Sequence, residues 1–277
     1  MKTLHPKVIL RSIEQRARKR FGQHFLTDMS VVEKMVRRAG VKPGERVLEI
    51  GPGLGVLTRA LLEAGAKVTC VELDRDLADY IEEMIPQVTL IRGDALRQNW
   101  AQIVGESPMT VVANLPYNVG TPLVIQMLEH RELFKSINVM LQKEVVDRML
   151  AGPGSKTYGA LSVQVQAVCE PSFLVSVPPE SFHPAPKVQS SVIRLNPLEH
   201  PRAGRAGVKR LNRVVRASFS QRRKVLPNSL GSLVGKETVK EALESMELDP
   251  KIRAEQLSLA QYCQLTDWLF DRQVLNG

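Results

Sequence analysis

Apolar and polar positions follow two alternating patterns through the middle of the chain. From residue 46 onward, short apolar runs such as RVLEI (46–50) are followed by segments in which apolar residues recur every three or four positions, such as LTRALLEAG (57–65). The first pattern indicates a buried strand, and the second indicates an amphipathic helix. Their repetition predicts a parallel sheet with helices on both faces. The predicted strands are 46–50, 67–72, 88–92, 110–114 and 137–141, and the predicted helices are 57–65, 77–85, 96–104, 121–130 and 143–150.

The later part of the chain departs from this repeat. SFLVSV (172–177) and SSVIRLN (190–196) predict two late strands, whereas LSVQVQAVCE (161–170) fits the strand and helix periods equally poorly. After residue 205 the apolar residues return to helical spacing, which predicts a small C-terminal α-helical domain. The predicted organisation is a basic tail at 1–20, a sheet domain at 21–200 and the helical domain at 205–277.

The first predicted strand runs into the glycine loop Gly51–Gly55. Gly51 and Gly53 allow a tight turn and a close approach of the backbone to a ligand, and ligands of open α/β sheets bind at such strand ends. A nicotinamide loop needs a further glycine where this chain has Val56, and Pro52 lacks the N–H of a phosphate cradle. The loop therefore favours a nucleoside ligand without a pyrophosphate.

Polar side chains follow the next three strands. Glu72, about 20 residues after the glycine loop, can accept hydrogen bonds from both ribose hydroxyls. Asp94 can accept one from the amine of an adenine, or can cap the following helix, and the two roles are compatible. With Asn114 at the fourth strand end, the combination predicts a site for S-adenosyl-L-methionine. A nicotinamide dehydrogenase is the weaker alternative, because of Val56.

Composition and charge indicate a second kind of binding partner, besides the nucleoside ligand. The 277 residues, 43% of them hydrophobic, suit one large domain and a smaller one. Residues 1–40 carry 10 basic and 3 acidic side chains, residues 41–200 carry 14 and 18, and residues 201–277 carry 14 and 8, so +7, −4 and +6 give the net charge of +9. The run from Arg202 to Lys224 has nine basic residues and no acidic one. This distribution predicts a polyanion held by the basic ends.

Other features exclude whole classes of protein. Cys70, Cys169 and Cys263 are far apart and have no metal-ligand spacing, which predicts a reducing compartment and neither disulfide framework nor metal site. No apolar run is long enough to cross a bilayer, and the start of the chain lacks the apolar stretch of a secretory signal. We therefore predict a cytoplasmic protein without membrane contact. An Arg-rich transit peptide is the alternative, disfavoured by Glu14.

Several motifs occur in the order typical of one enzyme family. They are KRFGQHFL (19–26), EIGPGLGVLT (49–58), VELDRDL (71–77), GDAL (93–96), NLPYN (114–118) and FHPAPKVQSSVIRL (182–195). Together they resemble the ribosomal RNA adenine N6,N6-dimethyltransferases over nearly the whole chain. RASFSQRRKVLPNSLG (216–231) resembles the housekeeping bacterial branch, which acts on small-subunit rRNA. The resemblance implies a Rossmann-like class I methyltransferase sheet at 21–200 and an rRNA-binding role for 205–277.

The resemblance also implies roles at the cofactor. The binding residues would be His24, Leu26, Gly51, Gly53, Glu72, Asp94 and Asn114. One position departs from the family, whose first motif usually reads Gln-Asn-Phe-Leu, because His24 stands in the Asn place. That position touches the methionine end of the cofactor in the family, and an imidazole can also offer a donor there.

The chemistry of adenine N6 methylation explains the sequence Asn114-Leu115-Pro116-Tyr117. The side-chain oxygen of Asn114 and the carbonyl of Leu115 can accept from the two amine hydrogens and so direct the lone pair at the methyl group. Tyr117 offers a face for stacking a flipped base. The family implies a second stacking ring, Phe182. In the sequence it is either a core phenylalanine or a ring that the neighbouring prolines at 184 and 186 hold in an exposed loop. DNA adenine methylases typically have a second proline at the place of Leu115, so RNA is favoured.

The function expected from these observations is dimethylation of the N6 amines of two adjacent adenines near the 3′ end of 16S rRNA. The partner would be an immature small ribosomal subunit, with Arg222, Arg223 and Lys224 on its phosphates, and the protein would be a monomer. Two alternatives are a 23S rRNA methylase of the resistance branch and a non-catalytic rRNA-binding assembly factor of the same fold. The presence of Glu72, Asp94 and Asn114 favours the enzyme.

Overall fold

A computed structural model describes residues 24–221 and 223–275. The basic tail predicted at 1–20 and the site residue Arg222 lie outside the described residues. The chain forms two compact units, one made by the part up to Val146 with Ser172–Pro197 and the other by Asp147–Pro171 with the part from Leu198 onward. Nearly all of the strands lie in the first unit, whereas the second unit is mainly helical.

The strands match the predicted ones closely. They are β1 (Phe25–Leu26), β2 (Arg46–Ile50), β3 (Lys67–Glu72), β4 (Thr89–Arg92), β5 (Met109–Asn114), β6 (Phe134–Gln142), β7 (Cys169–Val177), β8 (Phe182–His183) and β9 (Ser190–Pro197). Seven of them form one sheet in the order β4-β3-β2-β5-β6-β9-β7. The strands β2 to β6 pair in parallel, and β9 runs antiparallel to β6. The predicted α/β class is therefore confirmed.

The sheet order creates a crevice at its centre. From β2 the chain proceeds outward through β3 to β4 and then returns to place β5 on the other side of β2. Ligands of doubly wound sheets bind at such a reversal of strand order. The glycine loop follows β2 and Asn114 ends β5, so these two predicted site segments lie on adjacent strands.

The helices complete both units. They are α1 (Met29–Ala39), α2 (Val56–Glu63), α3 (Arg75–Met84), α4 (Trp100–Val104), α5 (Gly120–Glu129), α6 (Lys143–Leu150), α7 (Ala160–Val168), α8 (Gly207–Ser218), α9 (Leu226–Val234), α10 (Lys236–Ser245) and α11 (Leu259–Asp271). The helix predicted at 96–104 is wrong in its first half. Residues 95–97 form a 3₁₀ turn, and α4 starts only after Asn99, whose side chain accepts from the Gln102 N–H and caps it.

The ambiguous segment at 161–170 is mainly the helix α7. Seven of its nine residues are buried, so apolar and small polar side chains occupy nearly every face and leave no period to read. This helix packs against α8 and α11, which places it in the second unit. The observed division therefore differs from the predicted limits, 21–200 and 205–277, in the segment 147–171.

A short two-stranded sheet, absent from the predicted elements, joins distant parts of the first unit. In β1 and β8, Phe25 pairs with His183 and Leu26 with Phe182 in antiparallel fashion. The N–H of Thr27 extends the pairing by donating to the carbonyl of Ser181 at 2.8 Å. The chain before α1 is thereby fixed beside the segment that precedes β9.

Candidate active site

The glycine loop after β2 has a backbone that other residues rarely adopt. Gly51 and Gly53 have φ values of 68° and 56°, in the left-handed region. A Cβ on Gly53 would also lie 3.2 Å from the ring of Phe25, a distance tighter than ordinary packing. The loop thus brings its backbone close to β1, and Gly55 then starts α2 after donating to the Pro52 carbonyl at 2.9 Å.

Glu72 lies at the end of β3 and ties this edge of the sheet together. One carboxylate oxygen accepts from the Gly53 N–H at 3.2 Å, and the other accepts from the Asp74 N–H at 2.9 Å. The side chain is buried, and this burial raises the pKa of the carboxyl above its ordinary value although the backbone bonds oppose the shift. Glu72 therefore both shapes the glycine loop and presents a buried acceptor to the crevice.

The tip of β5 orients the amide of Asn114. Its Nδ2 donates to the main-chain carbonyl of His24 at 3.4 Å, which leaves Oδ1 as the branch that can accept from a ligand. Leu115 is buried and its N–H donates to the Met140 carbonyl at 3.3 Å. The Pro116 carbonyl accepts from the N–H of Gly120 at 2.8 Å, which closes the turn into α5.

Tyr117 is half-buried and is held by two neighbours. Its hydroxyl lies 2.5 Å from Oγ of Ser190, and its ring centroid lies 5.4 Å from that of His24 with the planes inclined by 33°. The His24 ring is itself fixed, because its Nδ1 lies 2.7 Å from the Pro184 carbonyl oxygen. One nitrogen of the imidazole is thus engaged by protein and not by a ligand.

A single cavity brings most of the predicted residues together. Its lining includes His24, Leu26, Gly51, Gly53, Glu72, Asn114, Leu115 and Tyr117. Apolar side chains such as Leu73 and Leu77, beside the acidic end of β3, give it a wall suited to a flat ring. The strand ends and the segment before α1 therefore build one pocket for a nucleoside-sized ligand.

Two of the residues predicted to contact the cofactor or the target base do not line this cavity. Phe182 is 4% exposed and belongs to the apolar core, so the structure has the core placement and not the exposed one. The pairing of β8 with β1 takes it into the core. Asp94 caps the 3₁₀ turn by accepting from the Leu96 N–H at 3.0 Å. The ligand contacts of both residues stay predictions.

Sequence reasoning missed Glu49, which lies within β2, also lines the cavity and is almost fully buried. The Cys70 thiol lies 3.8 Å from its carboxylate. Burial raises the pKa of Glu49 to about 8, with the nearby charge of Glu72 acting in the same direction. An acidic residue inside an otherwise apolar strand, RVLEI, was the signal available in the sequence.

Comparison with known proteins assigns the chain to a family. The family model described as ribosomal RNA adenine dimethylase matches residues 14–271. The chain belongs to this family. A relative from Hahella chejuensis (strain KCTC 2396), named ribosomal RNA small subunit methyltransferase A, is 44% identical and is aligned over 96% of this chain and 97% of its own length.

Solved structures agree with a dimethylase-family fold. The crystal structure of a dimethyladenosine transferase from Plasmodium falciparum has a TM-score of 0.77 at 25% identity and covers 90% of this chain and 98% of its own. The 23S rRNA methyltransferase ErmE has a TM-score of 0.68 at 24% identity, with coverages of 89% and 99%. The predicted class I methyltransferase fold is therefore confirmed.

The second unit of this dimethylase-family chain carries an exposed basic face. In α8, Lys209 and Arg216 are exposed while Leu211 and Val214 on the other side are buried. Arg223 and Lys224 are also exposed, in the turn before α9. By contrast, two other members of the basic run are paired with acids in the same unit, Arg202 with Glu170 at 2.5 Å and Arg205 with Asp271 at 2.7 Å.

The described part of the dimethylase-family chain has neither a cluster of metal ligands nor a membrane-spanning helix. Within residues 24–221 and 223–275, no three His, Cys, Asp or Glu side chains converge to hold a metal ion. Within the same ranges, no helix has the length and apolar character needed to span a bilayer.

The burial of Glu49 predicts a pH dependence of stability for the ligand-free protein. Its pKa is raised to about 8 on folding from an ordinary 4.5, so its contribution is fully present below the ordinary value and is lost as pH rises through about 8. The free energy of unfolding should fall by up to about 2–3 kcal/mol between about pH 6 and pH 8, at about 1.4 kcal/mol per pH unit.

Replacing Glu49 by Gln removes the titrating proton and should remove this part of the pH dependence. Urea denaturation of wild type and Glu49→Gln at both pH values measures the difference. Burial raises the pKa of the Cys70 thiol well above its ordinary value, so the thiol stays protonated in both folded proteins between pH 6 and pH 8. Glu72 is present in both proteins, so the difference between the two profiles reports Glu49 together with its coupling to Glu72. Parallel pH profiles for the two proteins would contradict the raised pKa of Glu49.

Proposed function

We propose that the chain transfers methyl groups from S-adenosyl-L-methionine to the N6 amines of two adjacent adenines near the 3′ end of 16S rRNA. The observation that carries this proposal is the common cavity of Asn114, Tyr117 and Glu72. It combines a nucleoside pocket with an outward-facing amide and an aromatic ring. The family to which the chain belongs and the name of the Hahella chejuensis relative support the same activity.

The residues of the cavity fit the proposed methyl donor. Glu72 offers a buried carboxylate for the ribose hydroxyls, the Gly51–Gly53 backbone permits close approach, and Leu73 and Leu77 give apolar cover to a purine. His24 and Leu26 close the pocket from the segment before α1. When bound, S-adenosyl-L-methionine supplies a methyl group made electrophilic by its sulfonium charge.

The tip of β5 supplies the groups that make an adenine amine nucleophilic. The N6 lone pair is delocalised into the ring, and attack requires the nitrogen to become pyramidal. Oδ1 of Asn114 and the main-chain carbonyl of Leu115 accept from the two N–H groups and favour that geometry. The His24 carbonyl fixes the Asn114 amide in the required orientation. The new N–C bond forms as the C–S bond breaks, and the cofactor leaves as a neutral thioether. The methylated nitrogen then carries positive charge and is acidic enough to release its proton to water, so catalysis in this scheme is positioning and dipole placement, without a strong general base.

The target base is held by stacking. One side of the Tyr117 ring faces His24, so the base stacks on the other side. Stacking of a base on an aromatic side chain contributes about 1–3 kcal/mol. Phe182 as a second stacking ring stays a prediction, because it is buried in this structure.

The exposed basic side chains around Arg223 and Lys224 suit the phosphates of structured RNA. We propose that they hold 16S rRNA in an immature small subunit, and that the protein acts as a cytoplasmic monomer. The 23S rRNA branch is the second candidate, supported only by the shared fold of ErmE. The small-subunit assignment has the support of a relative aligned over nearly its whole length.

Methyl transfer from labelled S-adenosyl-L-methionine tests the proposal directly. The substrates are naked 16S rRNA, naked 23S rRNA and immature small subunits, followed by mapping of dimethyladenosine. Label in two adjacent adenines near the 3′ end of 16S rRNA is expected. Label only in 23S rRNA would favour the second candidate, and RNA binding without label would indicate a non-catalytic assembly factor.

Replacing Glu72 by Ala should weaken S-adenosyl-L-methionine binding about 10- to 150-fold. The ribose hydroxyls lose a charged acceptor, and such hydrogen bonds are worth about 1.5–3 kcal/mol. Glu72→Gln keeps one acceptor oxygen without the charge and should lose less. Isothermal titration calorimetry, with a thermal melt as the control for folding, measures the effect. Unchanged affinity in folded Glu72→Ala would refute the ribose assignment.

A further inference from the structure

A hydrogen bond links the proposed base-stacking ring to a serine on another strand. The Tyr117 hydroxyl lies 2.5 Å from Oγ of Ser190. Ser190 is the first residue of β9, is completely buried, and pairs with Gln142 at the end of β6. Since β6 lies between β5 and β9, the Tyr117 side chain extends across the carboxyl end of β6 to reach it.

The partner of this bond is held in a fixed place. The N–H of Lys143 donates to the Gln189 carbonyl at 2.9 Å, which anchors the chain immediately before Ser190. On the ring itself, His24 packs at a centroid distance of 5.4 Å, and Pro184 holds His24. The hydroxyl contact fixes the far end of the Tyr117 ring, and the His24 contact occupies one of its sides.

We propose that Ser190 is a positioning residue for methyl transfer. By holding the Tyr117 hydroxyl it sets the tilt of the ring, and the ring sets the height of the stacked adenine relative to Oδ1 of Asn114. The inference rests on the proposed function and adds a residue to it. A small displacement of a reacting nitrogen from its two acceptors lowers the rate of transfer, because orientation is the main source of catalysis here.

The bond predicts a specific pattern in a double-mutant cycle. Ser190→Ala and Tyr117→Phe each remove the same hydrogen bond, so each should lower kcat on 16S rRNA about 3- to 10-fold. The kcat of the double variant should be no lower than that of either single variant, because the first substitution has already broken the hydrogen bond. Tyr117→Ala, which removes the stacking ring, should lose much more. The affinity for S-adenosyl-L-methionine should be unchanged in Ser190→Ala.

Ser191 provides a matched control. It is the next residue of β9 and is equally buried, but its hydroxyl has no hydrogen-bond partner in the described structure. Ser191→Ala therefore removes a buried serine hydroxyl from the same strand without breaking a bond. Its kcat should stay within about twofold of wild type. A comparable loss in Ser191→Ala would show that any change in this strand lowers activity and would overturn the proposal.

The kinetic outcomes separate this inference from the proposed function. Wild-type activity on 16S rRNA is established first, and its absence would refute the proposed function itself. With active wild type, unchanged kcat in Ser190→Ala would overturn the positioning role. Multiplicative losses in the double variant would also overturn it, because the two residues would then act independently. The expected result is the same loss of kcat in both single variants and in the double variant, with unchanged affinity for the cofactor.

Discussion

Asn114→Ala is expected to lower kcat for methyl transfer roughly 100- to 1000-fold, a loss typical of removing one pre-organised polar group from a transition state. The side-chain oxygen is the acceptor that the site presents to the N6 amine, and alanine offers no replacement. Affinity for S-adenosyl-L-methionine should fall only modestly, because Glu72 and the glycine loop remain in place. Single-turnover transfer to 16S rRNA and a cofactor titration measure the two quantities separately.

Asn114→Asp tests the orientation of the amide. Aspartate keeps an acceptor oxygen, but it cannot donate to the His24 carbonyl as Nδ2 of Asn114 does. Its activity should therefore lie between that of wild type and that of Asn114→Ala. Near-normal turnover by Asn114→Ala would rule out the role assigned to the side chain. A loss of cofactor affinity as large as the loss of activity would show that Asn114 acts mainly on the cofactor and not on the target amine.

Neutralising Arg222, Arg223 and Lys224 with Gln is expected to weaken 16S rRNA binding about 100-fold at roughly 0.1 M salt. Each phosphate contact contributes a slope of about 0.7–0.9 in the plot of log affinity against log salt, hence about a factor of five at that concentration. The slope itself should fall by about 2. Arg223 and Lys224 are exposed in the turn before α9, where phosphates can reach them. Binding measured at several salt concentrations gives both values.

Arg202→Gln with Arg205→Gln is the matched control from the same basic run. These arginines are already engaged by Glu170 and Asp271, so their removal should change the salt slope little. S-adenosyl-L-methionine affinity should be unaffected in both variants, since Arg202, Arg205, Arg223 and Lys224 are not among the described residues that line the cavity. Identical slopes for wild type and the triple variant would remove Arg222, Arg223 and Lys224 from the RNA contact.

The spacing of apolar residues predicted the alternating strands and helices of the sheet, but it failed for a helix that is buried on nearly every side. The strands β2 to β6 are visible in the sequence because polar helix faces and turns separate them. The helix α7 is not visible, because its polar residues Ser162 and Gln164 are buried together with the valines. The pairing of β1 with β8 was equally inaccessible, since two-residue strands have no period and their partner is far away in the chain.

The same contrast holds for the residues of the site. Those at the ends of strands could be predicted, and those placed by a long-range contact could not. Residues at the ends of strands, such as Glu72 and Asn114, could be predicted because sheet topology alone brings strand ends together. The placement of Phe182 could not be decided, because its burial depends on a long-range pairing and not on the prolines next to it. Ser190 was missed, because a serine at a strand start carries no signal until Tyr117 is seen to reach it.

Assembly of the pocket has to wait for assembly of the sheet. Thr27 and Ser181, which extend the pairing of β1 with β8, are 154 positions apart in the chain. Closing a loop of that length costs entropy that is recovered only when the intervening strands have stacked. A growing chain that has emerged only as far as β6 already contains Glu72 and Asn114 but has no partner for β1. We therefore expect the capacity to bind ligand to appear late in the folding of the first unit.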